Sequence, residues 1–159
     1  MALQIRPAAA GDAAQIVRFI ADLAAYEKLS HEANATEADI VRDLFGENPK
    51  VFCEIAEWDG QPVGFTLWFY TYSTFQGRAG IWLEGLYVDP ALRGKGVGKA
   101  LLVNLARRCV AEGLGRFEWW VLDWNSPSID FYKSQGGVMQ DEWTKVRVDG
   151  EALLKLGAP

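Results

Sequence analysis

The 159-residue chain predicts an α+β fold, with a mixed, mostly antiparallel central sheet and helices on both faces. Three observations carry that prediction. Two strand-like runs, 51–58 and 61–71, flank Asp59-Gly60, a strong signal for a two-residue hairpin. A third run, 81–88, follows the turn-rich stretch 74–80 and extends the pair into an antiparallel meander. A helical pattern then occupies 97–112, and the next strand, 117–122, must lie parallel to 81–88 because a helical crossover joins them.

The remaining elements follow in order. Residues 3–6 form a short first strand. Asp12 caps a helix running to about Leu29, with Ile16, Phe19, Ile20, Leu23 and Ala24 on its apolar face. A polar loop, 28–34, leads to Thr36-Glu37-Ala38-Asp39, which opens a second helix as a capping-box sequence; that helix ends near Phe45-Gly46. The crossover helix carries Val97, Leu101, Leu102, Leu105, Ala106, Cys109 and Val110 on one face, and Gly113-Leu114-Gly115 breaks it. Ser126-Pro127 starts another helix, serine as cap and proline at the first helical position, and Gly136-Gly137 ends it. A final strand is expected at 143–148, followed by a short apolar tail.

Length and composition fit one domain spanning 1–159. Half the residues are hydrophobic and 13% are aromatic, enough for a packed core. A net charge of −5 without a basic stripe argues against nucleic acid as the partner. No apolar run is long enough to span a bilayer and no signal peptide opens the chain. Cys53 and Cys109 form no C-x-x-C pair, which fits a cytoplasmic protein with reduced thiols. His31 is the single histidine, in a polar loop, and no set of residues has metal-ligand spacing, so no metal is expected.

The chemistry concentrates at Arg93-Gly94-Lys95-Gly96-Val97-Gly98-Lys99. Three glycines in five positions let the backbone take positive φ and let a ligand approach closely. The helix that follows offers unpaired N–H groups and the positive end of its dipole, and three cations flank them. Such a loop is an anion cradle for phosphate, or else a turn that only lets strand and helix pack. It is not a P-loop, because Arg93 stands where the first glycine belongs and Ala100 where Ser or Thr belongs. Nor is it a dinucleotide fingerprint, whose third glycine would fall on Lys99.

Two further residues stand out. Glu84 interrupts the apolar run 81–88, where burying a carboxylate is costly without a partner. It is either an ion-paired or water-facing structural acid, or a base that takes the proton of an ammonium group before its nitrogen attacks. Tyr132 lies beside Phe131 on the last predicted helix, either as core packing or as a phenol that donates to a leaving group.

Taken together, Arg93-x-x-Gly96-x-Gly98 between strand and helix, Leu83-Glu84, and the run Trp124-Asn125-Ser126-Pro127-Ser128-Ile129-Asp130-Phe131-Tyr132 resemble the GNAT N-acetyltransferases. With Ala25-Tyr26-Glu27-Lys28-Leu29 and Tyr70-x-Tyr72-Ser73-Thr74, the chain is similar to the spermidine/spermine branch and its thialysine-acetylating relatives. The resemblance covers essentially the whole chain. It implies acetyl-CoA as co-substrate, with pantetheine paired to Leu86, Tyr87 and Val88. Pyrophosphate would then lie on the Arg93, Gly94, Lys95, Gly96, Val97, Gly98 and Lys99 loop, and Asn125, Ser126, Pro127 and Ser128 would hold the arm from the other side. It implies Glu84 as base and Tyr132 as donor to the departing thiolate. Tyr26, Glu27, Glu84, Glu118, Trp119, Trp120 and Glu142 would surround a small primary amine. The family often has an acid after Leu-Glu; here it is Gly85, which favours a lysine-like or thialysine-like amine over a polyamine. The resemblance also implies a homodimer. A protein or peptide acetyltransferase and a non-catalytic acyl-CoA-binding domain are the alternatives.

Overall fold

The computed structural model describes residues 2–159, which divide into two compact units: one through Trp120, the other Val121–Pro159. In the first unit the order is β1 (Leu3–Pro7), α1 (Ala13–Tyr26), α2 (Glu37–Phe45), β2 (Phe52–Trp58), β3 (Gln61–Ser73), β4 (Arg78–Val88), α3 (Val97–Glu112) and β5 (Phe117–Glu118). The strands form one sheet in the order β1-β2-β3-β4-β5, antiparallel except for the parallel pair β4–β5. Both hairpin residues take positive φ, Asp59 at 50° and Gly60 at 81°, the turn whose twist matches the strands it joins.

Alternation along β2 separates two cores. Cys53 and Ile55 face α1 and α2, where Ile16, Phe19, Ile40 and Leu44 are buried with Phe65; the Phe19 and Phe65 rings stack at 5.4 Å. Ala56 faces α3, packed with Val63, Val97 and Leu101. Glu54 is buried between them in sequence and is tied to both sheet and helix. Its carboxylate accepts from Trp68 Nε1 at 3.0 and 3.2 Å and from Asn104 of α3 at 3.5 Å. Burial pushes this carboxyl above its ordinary range. Further along α3, Arg108 lies over the Trp68 ring at 5.2 Å and pairs with Glu112, which also accepts from the Tyr70 hydroxyl. A line of polar contacts thus fixes how far α3 can slide along the sheet.

Several expected details change. The helix that Asp12 precedes ends at Tyr26, not Leu29, and the Asp12 carboxylate does not cap it. That side chain turns back to accept from the Ala9 N–H at 2.7 Å and to pair with Arg6 at 2.8 Å. The Thr36 capping box forms as expected, with Thr36 and Asp39 exchanging bonds of 3.2 and 3.0 Å. The strand expected over 117–122 is only two residues long.

The second unit holds α4 (Ser126–Ser134) and α5 (Gly150–Leu156). No strand forms at 143–148, and the apolar tail is the α5 helix instead. Trp-Thr-Lys-Val-Arg-Val alternates as a strand should, but a strand needs a ladder partner, and none is paired with it among the described residues. The cap of α4 is Asn125 rather than Ser126, its side chain accepting from the Ser128 N–H at 3.4 Å.

Candidate active site

Glu84 owes its position to a bulge. Leu67 pairs with Gly85 and Trp68 with Leu83, which leaves Glu84 as the extra residue of β4. A bulge re-aims the side chain it carries. The carboxylate is therefore exposed, so the cost of burying it does not arise. Its Oε1 accepts from Trp82 Nε1 at 2.9 Å, and Trp82 packs edge-on against Trp120 at 5.9 Å. Trp82, which sequence reasoning counted only as a strand hydrophobe, thus holds the Glu84 carboxylate. The available signal was its position two residues before Glu84, on the same face of a strand.

A second carboxylate faces the first. Glu27 is the C-cap of α1 and half-buried. Burial, and then the charge of Glu84, push its carboxyl above the usual carboxylate range. An acid also sits badly at the negative end of a helix. Glu118 lies beside Trp82 in register, Trp119 packs on Phe117 at 4.8 Å, and Tyr26 is partly exposed at the end of α1. Glu142 is exposed in the second unit, outside regular structure. Gly85 points the other way. A Cβ there would meet Leu23 at 3.3 Å and Phe65 at 3.5 Å, so an acid at this position would be driven into apolar packing.

The raised Glu27 pKa has a consequence for stability. Its folded value lies above the unfolded value of about 4.3, so its contribution is fully present below that pH and is lost as pH rises through the folded value. Glu27→Gln is expected to flatten the decline of Tm above about pH 4.3 and to leave a more stable protein at neutral pH. Thermal melts of both proteins from acid to neutral pH check this. Identical slopes would contradict the strained pair.

Beyond this acidic corner, β4 and β5 part. They pair only at Ile81↔Phe117 and Trp82↔Glu118. Leu86, Tyr87 and Val88 bond to β3 on one side and have no strand on the other among the described residues. After Val88, Asp89 accepts from the Ala91 N–H at 2.9 Å and sets the short turn through Pro90–Leu92. Gly94 and Gly96 follow at φ 79° and 83°, with open space where a Cβ would project. No side chain caps α3. Val97, Gly98 and Lys99 therefore open the helix with N–H groups that are free of both intrahelical and side-chain capping bonds, donors that can receive an anion.

The three cations of this loop diverge. Arg93 lies over the Tyr26 ring at 4.9 Å, Lys95 over Trp58 at 5.9 Å, and Lys99 lines a surface groove with Leu3, Ile5 and Arg107. In the second unit, Tyr132 is half-buried against Phe131 with ring centroids 5.7 Å apart. Its carbonyl accepts the Gly137 N–H at 2.9 Å, just past Gly136 at φ 94°, which closes the helix end. Asn125 is buried as the helix cap, and Ser126 and Pro127 are exposed beside it.

The chain is similar to known proteins in sequence and in fold. Residues 17–136 match the Acetyltransferase (GNAT) family. Thialysine N-epsilon-acetyltransferase from Sus scrofa is 39% identical over 96% of this chain and 95% of its own length. Spermidine/spermine N(1)-acetyltransferase-like protein 1 from Homo sapiens is 35% identical over 96% of this chain and 23% of its own. Among solved structures, an integron cassette protein from the mobile metagenome of V. cholerae superposes with a TM-score of 0.82 at 25% identity, covering 100% of this chain and 99% of that one.

Proposed function

The chain belongs to the GNAT acetyltransferase family and is an N-acetyltransferase, and from that premise we propose that it acetylates a small lysine-like or thialysine-like primary amine by direct attack within a ternary complex. The observation that carries the choice of acceptor is the pair Glu27 and Glu84, two carboxylates close enough for one to raise the other's pKa, beside Trp82 and Trp120. Carboxylates with aromatic faces suit an ammonium group. Gly85, turned into the α1 packing, offers no third acid for a longer polycation.

Acetyl-CoA is the co-substrate of the family. Its pyrophosphate suits the N–H groups at Gly96–Lys99, and its pantetheine suits the unpaired edge of β4 at Leu86, Tyr87 and Val88; Asn125, Ser126, Pro127 and Ser128 are assigned to the cofactor arm on the family resemblance. In the reaction the amine nitrogen forms a bond to the thioester carbonyl carbon and the carbon–sulfur bond breaks, its electron pair leaving on sulfur. Glu84 accepts the proton that the ammonium must lose before attack, directly or through water, and the second proton that nitrogen sheds in forming the amide balances the one taken up by sulfur. Tyr132 supplies a hydrogen bond or proton to the thiolate. Residues 1–159 act as one catalytic domain in this reading, with no resident metal, in the cytoplasm, where the buried free thiols of Cys53 and Cys109 stay reduced.

Acetyl-CoA is expected to raise Tm, and NAD to leave it unchanged, in a thermal-shift titration. A shift with NAD and none with CoA or acetyl-CoA would end the cofactor assignment. A homodimer is proposed as well. Trp143, Val146, Leu154 and Leu156 are all more than 70% exposed, an apolar surface that a second copy would cover. Sedimentation at micromolar concentration is expected to give twice the chain mass, and a monomer would contradict it.

A further inference from the structure

We propose that Arg93 is a positioning residue of the amine site, although it lies on the phosphate loop. The inference rests on the acetyltransferase reading and adds to it a physical link between the acceptor and cofactor sides. Arg93 ends the short turn after β4 with φ −67° and ψ 147°, an extended conformation. Its guanidinium is 4.9 Å from the ring centroid of Tyr26 in the last turn of α1 and 6.0 Å from that of Tyr87 on β4. Those are cation–π distances.

The clip acts where α1 is hardest to hold. The helix ends at Tyr26, Glu27 caps it, and Lys28 takes φ 63°, a left-handed conformation that a non-glycine residue enters at a cost. The helix dipole, Glu27 and Glu84 all place negative character at this end. A guanidinium over Tyr26 holds the last turn of α1 one residue from Glu27 and leaves the state of that carboxyl to burial and Glu84. Glu27 stays available to an ammonium group while the backbone that carries it is fixed. The loop that takes the phosphates of acetyl-CoA therefore also holds one wall of the amine site.

The test is a double-mutant cycle of Tyr26→Leu and Arg93→Met, with Tyr26→Phe as the variant that keeps the ring. The amine KM, acetyl-CoA KM and kcat are measured for each, and urea denaturation checks the ligand-free proteins. Each single change is expected to raise the amine KM about 2- to 5-fold, the factor for one exposed cation–π contact. The double variant should be no worse than either single, and in the Tyr26→Phe background, which keeps the ring, Arg93→Met should still raise the amine KM by the same factor. The same non-additivity is expected in the urea midpoints. Arg93→Met acting on acetyl-CoA KM alone, with effects that multiply across the cycle, would overturn the proposal and return Arg93 to phosphate binding. A wild-type protein that transfers no acetyl group would remove the functional reading, and this proposal with it. Additive effects in an active enzyme would remove this proposal alone.

Discussion

Glu84→Gln is expected to lower kcat/KM for the amine by roughly 10²–10⁴, the range for loss of a general base. The substitution is well suited to the question. The Gln carbonyl can still accept from Trp82 Nε1, and the bulge that exposes residue 84 is set by backbone register, so position is kept and basicity is lost. An alkylammonium has a pKa near 10.4, so only about one molecule in 2,500 is free amine at pH 7. The deficit of the variant should therefore shrink as pH rises and the substrate deprotonates unaided. A pH–rate profile of both enzymes measures it. A variant whose loss is the same at every pH would leave Glu84 as an anchor for the ammonium and nothing more.

Tyr132→Phe is expected to lower kcat by roughly 10²-fold or more with little change in amine KM, because a contact to the leaving sulfur strengthens only as the carbon–sulfur bond breaks. The ring packing on Phe131 and the carbonyl that accepts from Gly137 survive the change, so α4 should keep its fold. Acetyl-CoA affinity, determined separately by titration, should be unaltered, since the pyrophosphate contacts are assigned to the loop before α3. If KM rises in proportion to the fall in kcat/KM while kcat holds, Tyr132 is a binding residue and the thiolate takes its proton from water.

Most of the first unit was legible because its signals are local. Asp59-Gly60 fixed a hairpin, and Thr36 with Asp39 fixed a helix start. The glycine loop takes the positive φ that its composition suggested and leads into a helix start with no side-chain cap. What the sequence hid depends on distant partners. The bulge at Glu84 exists only in the pairing of β4 with β3, so the sequence left open whether this acid is ion-paired, water-facing or a base, and the pairing shows it exposed. Trp82 looked like any strand aromatic until its N–H met Glu84. The cations of the loop were read as one phosphate-binding set, yet their side chains go to Tyr26, Trp58 and the groove beside β1, contacts that no local pattern encodes. At 143–148 the alternation was present and the ladder was not.

The most direct measurement is acetyl-CoA-dependent release of CoA across a panel of lysine analogues including thialysine, polyamines, aminoglycosides and peptides, with the acetylated product identified by mass. The account predicts release with lysine-like primary amines, a single acetyl group on the side-chain nitrogen, and a strongly reduced rate at neutral pH for Glu84→Gln. A protein that binds acetyl-CoA yet releases no CoA with any amine, or acts only on peptides, would contradict it.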